Sequence, residues 1–410
     1  MGKATHPSKK MENPNALFSF HCPKTLQYKC KEVNLKGQLL YSWPYRWEEN
    51  IDLALAQRLG RDLENWITGV NSSFKIDKKK SEIIKDVAVG SIYYAPKDWI
   101  RNADSDDVAY TKLLVFFKTV WLVTILEDCT DINIQKDQIP ETFYFALAKI
   151  CFIIFSFELN SIKEMEALNE FIFINEVNPM AGKHLYLVFD YSVTLKQQFG
   201  ANKDSVYYFA LQFRYCFELG IWGGQPENPD AINLGRQHFC RILSGGFSPL
   251  QEILFVLDGI EIPKIIRENV YWKRCWDIAA FLPARTNDII SLEKELGEYE
   301  KYQIRPDNII VIYMDIDNCT FEKALSRAIR EHDDALTEFR DTYFHFEKYP
   351  NHLYELNDDM KEIFFNTLTR LAEFIACSLQ GQVILKRYLK NLEYRIESVS
   401  SKAHPTLEKP

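Results

Sequence analysis

The fold is decided by the stretch WDIAAFLPARTNDIISLEKE, from Trp276 to Glu295, in which an apolar segment runs into regularly spaced polar residues. Asn287, Ser291 and Glu295 stand at positions i, i+4 and i+8, so on a helix they form one ridge. Their amide, hydroxyl and carboxylate oxygens are hard donors of the kind that Mg²⁺ shares with waters and phosphates. The stretch predicts a helix that presents a magnesium site; the alternative is a solvated polar face with chance spacing.

Most of the chain around this stretch has the spacing of amphipathic helices. Apolar residues recur every three to four positions from Glu48 onward, and strand-like alternation is rare. Candidate helix breakers are Gly182, Gly200, residues 223–226, Gly245–Gly246, Pro283 and Pro350. Helices are predicted near residues 48–66, 80–93, 107–127, 140–158, 183–198, 203–222, 229–243, 247–258, 271–297, 305–316, 319–347 and 356–396.

The two ends of the chain differ from this helical body. Residues 1–45 contain four prolines and little periodicity, which predicts an irregular N-terminal strap. The tail 398–410 is polar and is predicted to be disordered. We therefore expect one all-α domain over residues 46–397.

Composition excludes several classes of protein. The 410 residues carry a net charge of −8, which argues against a nucleic-acid binder, since neutralising phosphates needs a basic surface. Nine scattered cysteines without a CxxC pair predict buried thiols, not a disulfide framework or a zinc site. The N-terminus lacks a signal-like apolar region, and the longest apolar run, 143–157, is too short to cross a bilayer. We expect a cytoplasmic protein without a stable membrane anchor; its oligomeric state stays open, with a homodimer as one option.

A second acidic constellation ends the predicted helix 107–127. Glu127, Asp128 and Asp131 place two adjacent carboxylates and a third one turn later, an arrangement that can bridge two cations. Acids are unfavourable near a helix C-terminus, where the dipole is negative, and bound metal would remove that conflict. The alternative is an ordinary acidic helix end.

A third constellation is Arg241-Ile-Leu-Ser244-Gly245-Gly, 46 residues before Asn287. The glycine pair breaks a helix just after Arg241. Taken alone, an Arg before such a break is usually a charge contact at a helix C-terminus.

Together these segments resemble the class I terpene synthases, and most closely the single-domain microbial-type enzymes and their octocoral relatives, over roughly residues 40–395. The stretch from Asn287 to Glu295 matches the family's (Asn/Asp)-Asp-(Leu/Ile/Val)-x-(Ser/Thr)-x-x-Lys-Glu motif at every defined position. Residues 127–131 are similar to its Asp-Asp-x-x-Asp motif, with Glu in the first place. The resemblance implies a helical bundle around a central active-site cavity.

The resemblance also implies roles for individual residues. Three Mg²⁺ ions would be held by Asn287, Ser291 and Glu295 and by the 127–131 motif, in which either Glu127 or Asp128 makes the bridging contacts. Diphosphate would be bound by Lys294, by the sensor Arg241 and by Arg387 and Tyr388, which resemble the family's C-terminal Arg-Tyr pair. Ser244 and Gly245 match the linker and the effector, which acts through its backbone carbonyl. The implied substrate is an isoprenyl diphosphate, which is ionised and cyclised.

Four further residues are candidates for the pocket wall. Trp276 lies eleven residues before Asn287, on nearly the same helix face, where it would stabilise a cation or simply pack in the core. In the family an aromatic residue commonly stands where this chain has Gly381 and, one turn before the acidic motif, Val123 and Thr124. Smaller side chains free volume, which predicts geranylgeranyl diphosphate over farnesyl diphosphate unless neighbours such as Tyr388 or Phe374 refill the space.

Three other interpretations compete with a diterpene cyclase. A sesquiterpene cyclase would use farnesyl diphosphate, a trans-isoprenyl diphosphate synthase would need a second Asp-rich motif, and a terpenoid-binding protein would need no intact metal ligands. Residues 104–107 also fit the Asp-x-Asp-Asp acid motif of class II cyclases. That motif works in a separate helical domain pair, so we interpret these acids as a helix N-terminus.

Overall fold

The computed structural model describes residues 15–29, 31–42, 52–134, 140–223, 233–302, 305–384 and 393–399. This part of the chain is dominated by helices, which confirms the predicted all-α class. In chain order the helices are α1 (Leu53–Val70), α2 (Lys78–Tyr94), α3 (Lys97–Asn102), α4 (Asp107–Ile134), α5 (Glu141–Phe155), α6 (Ile162–Glu166), α7 (Asn169–Val177), α8 (Pro179–Gln198), α9 (Lys203–Gly223), α10 (Leu234–Ser244), α11 (Phe247–Asp258), α12 (Lys264–Glu268), α13 (Val270–Ile290), α14 (Leu292–Tyr302), α15 (Ile309–Ile316), α16 (Phe321–Lys348) and α17 (Asp358–Ile384).

Helix α13 is the structural centre of the C-terminal half. It packs against α10, α11, α16 and α17. Its buried residues include Trp272, Trp276 and Ile278, which join side chains of α16 and α17 in one core cluster. The helix that carries Asn287 is thus fixed by tertiary packing along most of its length.

Helix α4 passes through the core of the N-terminal half. Its segment Asp107–Glu127 is long and apolar enough to cross a membrane. However, 67% of the 18-residue apolar window within this segment is buried inside the fold. It packs against α1, α2, α3, α8 and α11, as a core helix does. The Asp106 carboxylate accepts a hydrogen bond from the amide of Val108 at 2.9 Å, which agrees with acids 104–107 marking a helix N-terminus.

The predicted irregular strap is wrong for residues 15–42. This region forms strands β1 (Asn15–His21), β2 (Leu26–Tyr28), β3 (Lys31–Val33) and β4 (Lys36–Ser42). Strand β1 lies between β4 and β5 (Glu393–Val399), antiparallel to both. The predicted helix to residue 396 and the disordered tail from 398 are therefore wrong over 393–399, and residues 400–410 lie outside the described part. Phe18, Phe20 and Leu39 are buried, so the strands are stabilised by one apolar face against α16.

The helix breaks also differ from the prediction. Gly182 lies inside α8 and Pro283 inside α13, while the predicted helix 271–297 is interrupted at Ser291. A proline inside a helix cannot donate to the carbonyl one turn earlier, which costs stability but does not always end the helix. Here the buried amide of Gln382 on α17 donates to the carbonyl oxygen of Pro283 at 2.9 Å, so α17 supports this turn from outside.

Candidate active site

The junction between α13 and α14 keeps the helical ridge. The amide of Ser291 donates to the carbonyl of Asn287 at 2.9 Å, and the amide of Glu295 donates to the carbonyl of Ser291 at 3.0 Å. The Ser291 hydroxyl lies 2.5 Å from Glu295 Oε1 and 2.6 Å from the backbone oxygen of Asn287. Because the i, i+4 bonds continue, the structure places Ser291 and Glu295 side by side despite the break.

The carboxylate of Glu295 is buried, and a second residue orients it. Burial raises the pKa of Glu295 to about 7. Asn308, at the N-terminus of α15, donates from Nδ2 to Glu295 Oε2 at 2.9 Å and to the backbone oxygen of Asp288 at 2.6 Å. Asn308 is fully buried and was not identified from the sequence.

A divalent cation fits this donor set. The amide, hydroxyl and carboxylate of Asn287, Ser291 and Glu295 are hard oxygen ligands of low total charge. Bringing a cation to the buried carboxylate would offset the desolvation that raises its pKa, since metal ligands bind in the deprotonated form. Among the side chains that the structure describes, no cluster of three or more His, Cys, Asp or Glu could hold a metal. The site would therefore have to use the Asn and Ser oxygens.

Arg241 lies against the same motif. From the last turn of α10, its Nη2 forms an ion pair with Asp288 Oδ1 at 2.7 Å and donates to Asn287 Oδ1 at 3.2 Å. The side chain of Arg241 is one quarter exposed, whereas that of Asp288 is buried. The predicted sensor and a predicted metal ligand are thus in direct contact across two helices.

Behind Asp288 lies a buried charge network that the sequence prediction missed. The guanidinium of Arg285 is 3.4 Å from Asp288 Oδ2 and 3.0 Å from Glu331 Oε2 of α16. Tyr313 donates its hydroxyl to Glu331 at 2.6 Å and lies 3.1 Å from His238 Nε2 of α10. Burial and the nearby Arg285 lower the pKa of His238. The network connects α10, α13, α15 and α16; the Arg285–Asp288 spacing of i, i+3 was the one signal available in the sequence.

Glu127, the first residue of the acidic motif, faces the break between α10 and α11. Helix α4 does not end near Leu126 but continues to Ile134, so Glu127 lies inside it and the helix-end argument for these acids is wrong. A Cβ added at Gly246 would lie 2.9 Å from Glu127 Oε1 and 2.8 Å from Val123 Cγ1. The side chains of Asp128 and Asp131 lie outside the described part of the structure.

The break itself depends on Gly246 more than on the predicted Gly245. Gly245 has φ −72°, which any residue adopts, whereas Gly246 has φ +76° and opens α11. The carbonyl oxygen of Ser244 lies 3.6 Å from Cys216 Sγ, and a Cβ at Gly245 would lie 3.3 Å from the Cβ of Ala284 on α13. Ser244, the predicted linker, and Gly245, the predicted effector, therefore lie between Glu127 of the acidic motif and α13.

Other predicted site residues contact partners outside the group formed by Arg241, Asn287 and Asp288. Lys294 pairs with Glu298 at 3.6 Å, one turn further along α14. Trp276 packs in the core with Leu243 and donates its indole N–H to Glu252 at 2.8 Å. The hydroxyl of Thr124 donates to the carbonyl of Val120, one turn earlier in α4. Arg387 and Tyr388 lie outside the described residues.

The volume predicted at Gly381 is already filled. A Cβ at Gly381 would lie 2.6 Å from Cδ2 of Tyr94 and 2.7 Å from its Cε2. The ring of Tyr94 on α2 therefore occupies the space that the missing aromatic side chain would leave. The expectation of free volume at Gly381 is wrong: the nearest side chain there is that of Tyr94 and not of Phe374, while Tyr388 lies outside the described residues.

Comparison with known proteins agrees with this arrangement. Residues 237–338 match the family model of terpene synthase family 2, C-terminal metal binding. That segment contains Arg241, Asn287, Ser291 and Glu295. A search of curated proteins gave no match.

Solved structures share the fold over most of the chain. Germacradien-4-ol synthase from Streptomyces citricolor is 12% identical, with a TM-score of 0.59, over 83% of this chain and 96% of its own. Hedycaryol synthase in complex with nerolidol is 13% identical, with a TM-score of 0.54, over 82% and 96%. The SVS_A2 protein from ancestral sequence reconstruction is 14% identical, with a TM-score of 0.56, over 82% and 85%. The matched metal-binding region and the shared helical fold support the resemblance of this chain to the class I terpene synthases.

Proposed function

We propose that this enzyme binds an isoprenyl diphosphate with Mg²⁺, ionises it and cyclises the resulting carbocation, releasing diphosphate. The observation that carries the proposal is the contact of Arg241 with both Asn287 and Asp288 beside a glycine break that faces Glu127. These contacts support a site in which Arg241 binds diphosphate between Asn287 on one side and Glu127 on the other.

The chain's own residues have separate tasks in this reaction. Asn287, Ser291 and Glu295 would hold one cation, and Glu127 with Asp128 and Asp131 would hold two more. Mg²⁺ supplies Lewis-acid stabilisation of the departing diphosphate when it is bound. Arg241 adds positive charge where negative charge develops, because its side chain is partly exposed and can turn from Asp288 toward the substrate.

Arg241 also connects substrate binding to the helix break. It stands on the last turn of α10, three residues before Ser244, so a shift of its side chain toward diphosphate pulls on the turn that carries Gly245 and Gly246. The carbonyl groups of that turn can then point toward the developing cation. Exclusion of water protects the carbocation, and we assign part of that closure to Arg387 and Tyr388.

For the substrate we propose geranylgeranyl diphosphate, now supported by Val123 and Thr124 alone. Farnesyl diphosphate is the second candidate, because Tyr94 fills the space at Gly381. Two structures with the same fold are named for making germacradien-4-ol and hedycaryol. These are alcohols of sesquiterpene size, which also favours the second candidate.

Incubation with geranyl, farnesyl and geranylgeranyl diphosphates, with and without Mg²⁺, tests the proposal. Cyclic hydrocarbons or alcohols that disappear after chelation with EDTA are the expected products. Longer linear diphosphates would show an isoprenyl diphosphate synthase, and binding without turnover would show a terpenoid-binding protein. Either outcome would contradict the cyclase. The cytoplasmic location and the homodimer stay predictions.

A further inference from the structure

We infer that Tyr94 is a specificity-determining residue whose ring forms the substrate wall at Gly381 and limits the length of isoprenoid chain that the enzyme accepts. The inference rests on the proposed cyclase function. It concerns a contact between α2 and α17, two helices whose interface carries none of the predicted metal ligands.

The close approach of the two helices requires glycine. Three ring atoms of Tyr94, Cδ2, Cε2 and Cγ, lie 2.6, 2.7 and 3.1 Å from the position of a Cβ at Gly381. Carbon atoms that are not bonded to each other make contact at about 3.5–4.0 Å, so no other residue fits without a shift of the ring. Glycine inside a helix is costly, and at Gly381 that cost is offset by ring packing. Tyr94 and Gly381 therefore pack as a pair, with the ring of Tyr94 in the space that a side chain at position 381 would take.

Neighbouring residues connect Tyr94 and Gly381 to the part of the site that carries the predicted metal ligand Glu127. The ring centroid of Tyr94 is 6.4 Å from that of Phe247, the first residue of α11. Phe247 follows Gly246, which lies against Glu127 and Val123 of α4. A chain of direct neighbours thus leads from the acidic motif, through the glycine break and Phe247, to Tyr94 and Gly381.

The chemistry of the wall suits a hydrocarbon chain. Tyr94, Phe247 and Val123 are each at most 8% exposed and belong to one apolar core cluster. A substrate anchored by its diphosphate at Arg241 would extend its prenyl chain along such apolar side chains. Removing the Tyr94 ring frees on the order of 100 Å³, close to the volume of one isoprene unit. Tyr94 is therefore placed to discriminate between substrates that differ by five carbons.

The experiment compares kcat/KM for farnesyl and geranylgeranyl diphosphates in the wild type, Tyr94→Ala and Tyr94→Leu. We expect the ratio to shift at least tenfold toward the longer substrate in Tyr94→Ala and less in Tyr94→Leu, since discrimination by apolar pockets is on this order per small change in volume. Phe346→Ala is the matched control, because it removes a buried ring from a different core cluster, on α16. It should lower the melting temperature without shifting the ratio.

A second pair of variants tests the contact without relying on Tyr94→Ala to fold. Gly381→Trp should lower the melting temperature by several degrees, and adding Tyr94→Ala should restore most of the loss and return the ratio toward the wild-type value. A folded Tyr94→Ala whose ratio stays within about twofold of wild type would overturn the inference, as would a double variant no more stable than Gly381→Trp. If the wild type turned over none of the diphosphates, the cyclase proposal would fail and this inference with it.

Discussion

Replacing Arg241 with alanine separates its role at the substrate from its role in the fold. The guanidinium contacts Asp288 at 2.7 Å and Asn287 at 3.2 Å, and the Arg241 side chain is one quarter exposed. We expect Arg241→Ala to lose most of the ionisation rate while remaining folded. The reason is that the same cation must stabilise charge on the diphosphate, which develops only as the carbon–oxygen bond breaks.

The expected losses of catalytic rate and of folding stability follow from the contacts of Arg241. Loss of one donor to a developing negative charge typically costs about 2.7–4 kcal/mol in the barrier, or about 10²–10³ in kcat. The loss of folding stability should be smaller, about 1–3 kcal/mol, because Asp288 keeps Arg285 as a buried partner at 3.4 Å.

The assay is single-turnover release of diphosphate at saturating Mg²⁺, with urea unfolding of each variant in parallel. Arg236→Ala is the control: Arg236 lies on α10 five residues earlier, about 140° around the helix, so it faces another direction. Arg241→Lys should recover part of the rate, because it keeps the charge but lacks the planar fork. Equal losses from Arg236→Ala and Arg241→Ala, or a larger loss from Arg236→Ala, would refute the assignment of the sensor.

Three further predictions follow from the same structure. Asn287→Ala and Glu295→Ala should each abolish turnover with little change in helix content, because each removes an oxygen ligand; wild-type rates with normal Mg²⁺ dependence in both would show that the ligands are wrongly assigned. Asn308→Ala should raise the Mg²⁺ concentration needed for half-maximal rate about 10–100-fold, as residues that orient metal ligands do, and an unchanged Mg²⁺ titration would contradict that role. Asp258→Ala should destabilise the fold by about 3 kcal/mol in urea unfolding, because its buried carboxylate pairs with cations of α4 and α17. The control Asp358→Ala removes a fully exposed partner and should leave the midpoint of urea unfolding unchanged; similar losses in both would refute the argument.

The features that could be predicted from the sequence are those whose partners lie within a few residues. The spacing of Asn287, Ser291 and Glu295 repeats every helical turn, so the ridge follows from α-helical geometry even though the helix is interrupted at Ser291. The glycine break after Arg241 is equally local, although which glycine takes the left-handed conformation depended on the fit of Gly246 against α4. Helix periodicity likewise located most of the long helices.

The features that could not be predicted depend on contacts between distant parts of the chain. Strand β1 pairs over its whole length with β5, whose residues follow it by more than 370 positions, so no hairpin spacing announces the sheet. Without that partner, residues 15–42 have only short alternating runs between prolines and look irregular. The same holds at the pocket wall. In the sequence, a glycine in place of an aromatic residue at position 381 predicts free volume. Whether that volume exists depends on Tyr94, which lies 287 positions earlier in the chain. An argument about substrate length from one residue therefore needs the residue that faces it, and at Gly381 that residue is Tyr94 of α2.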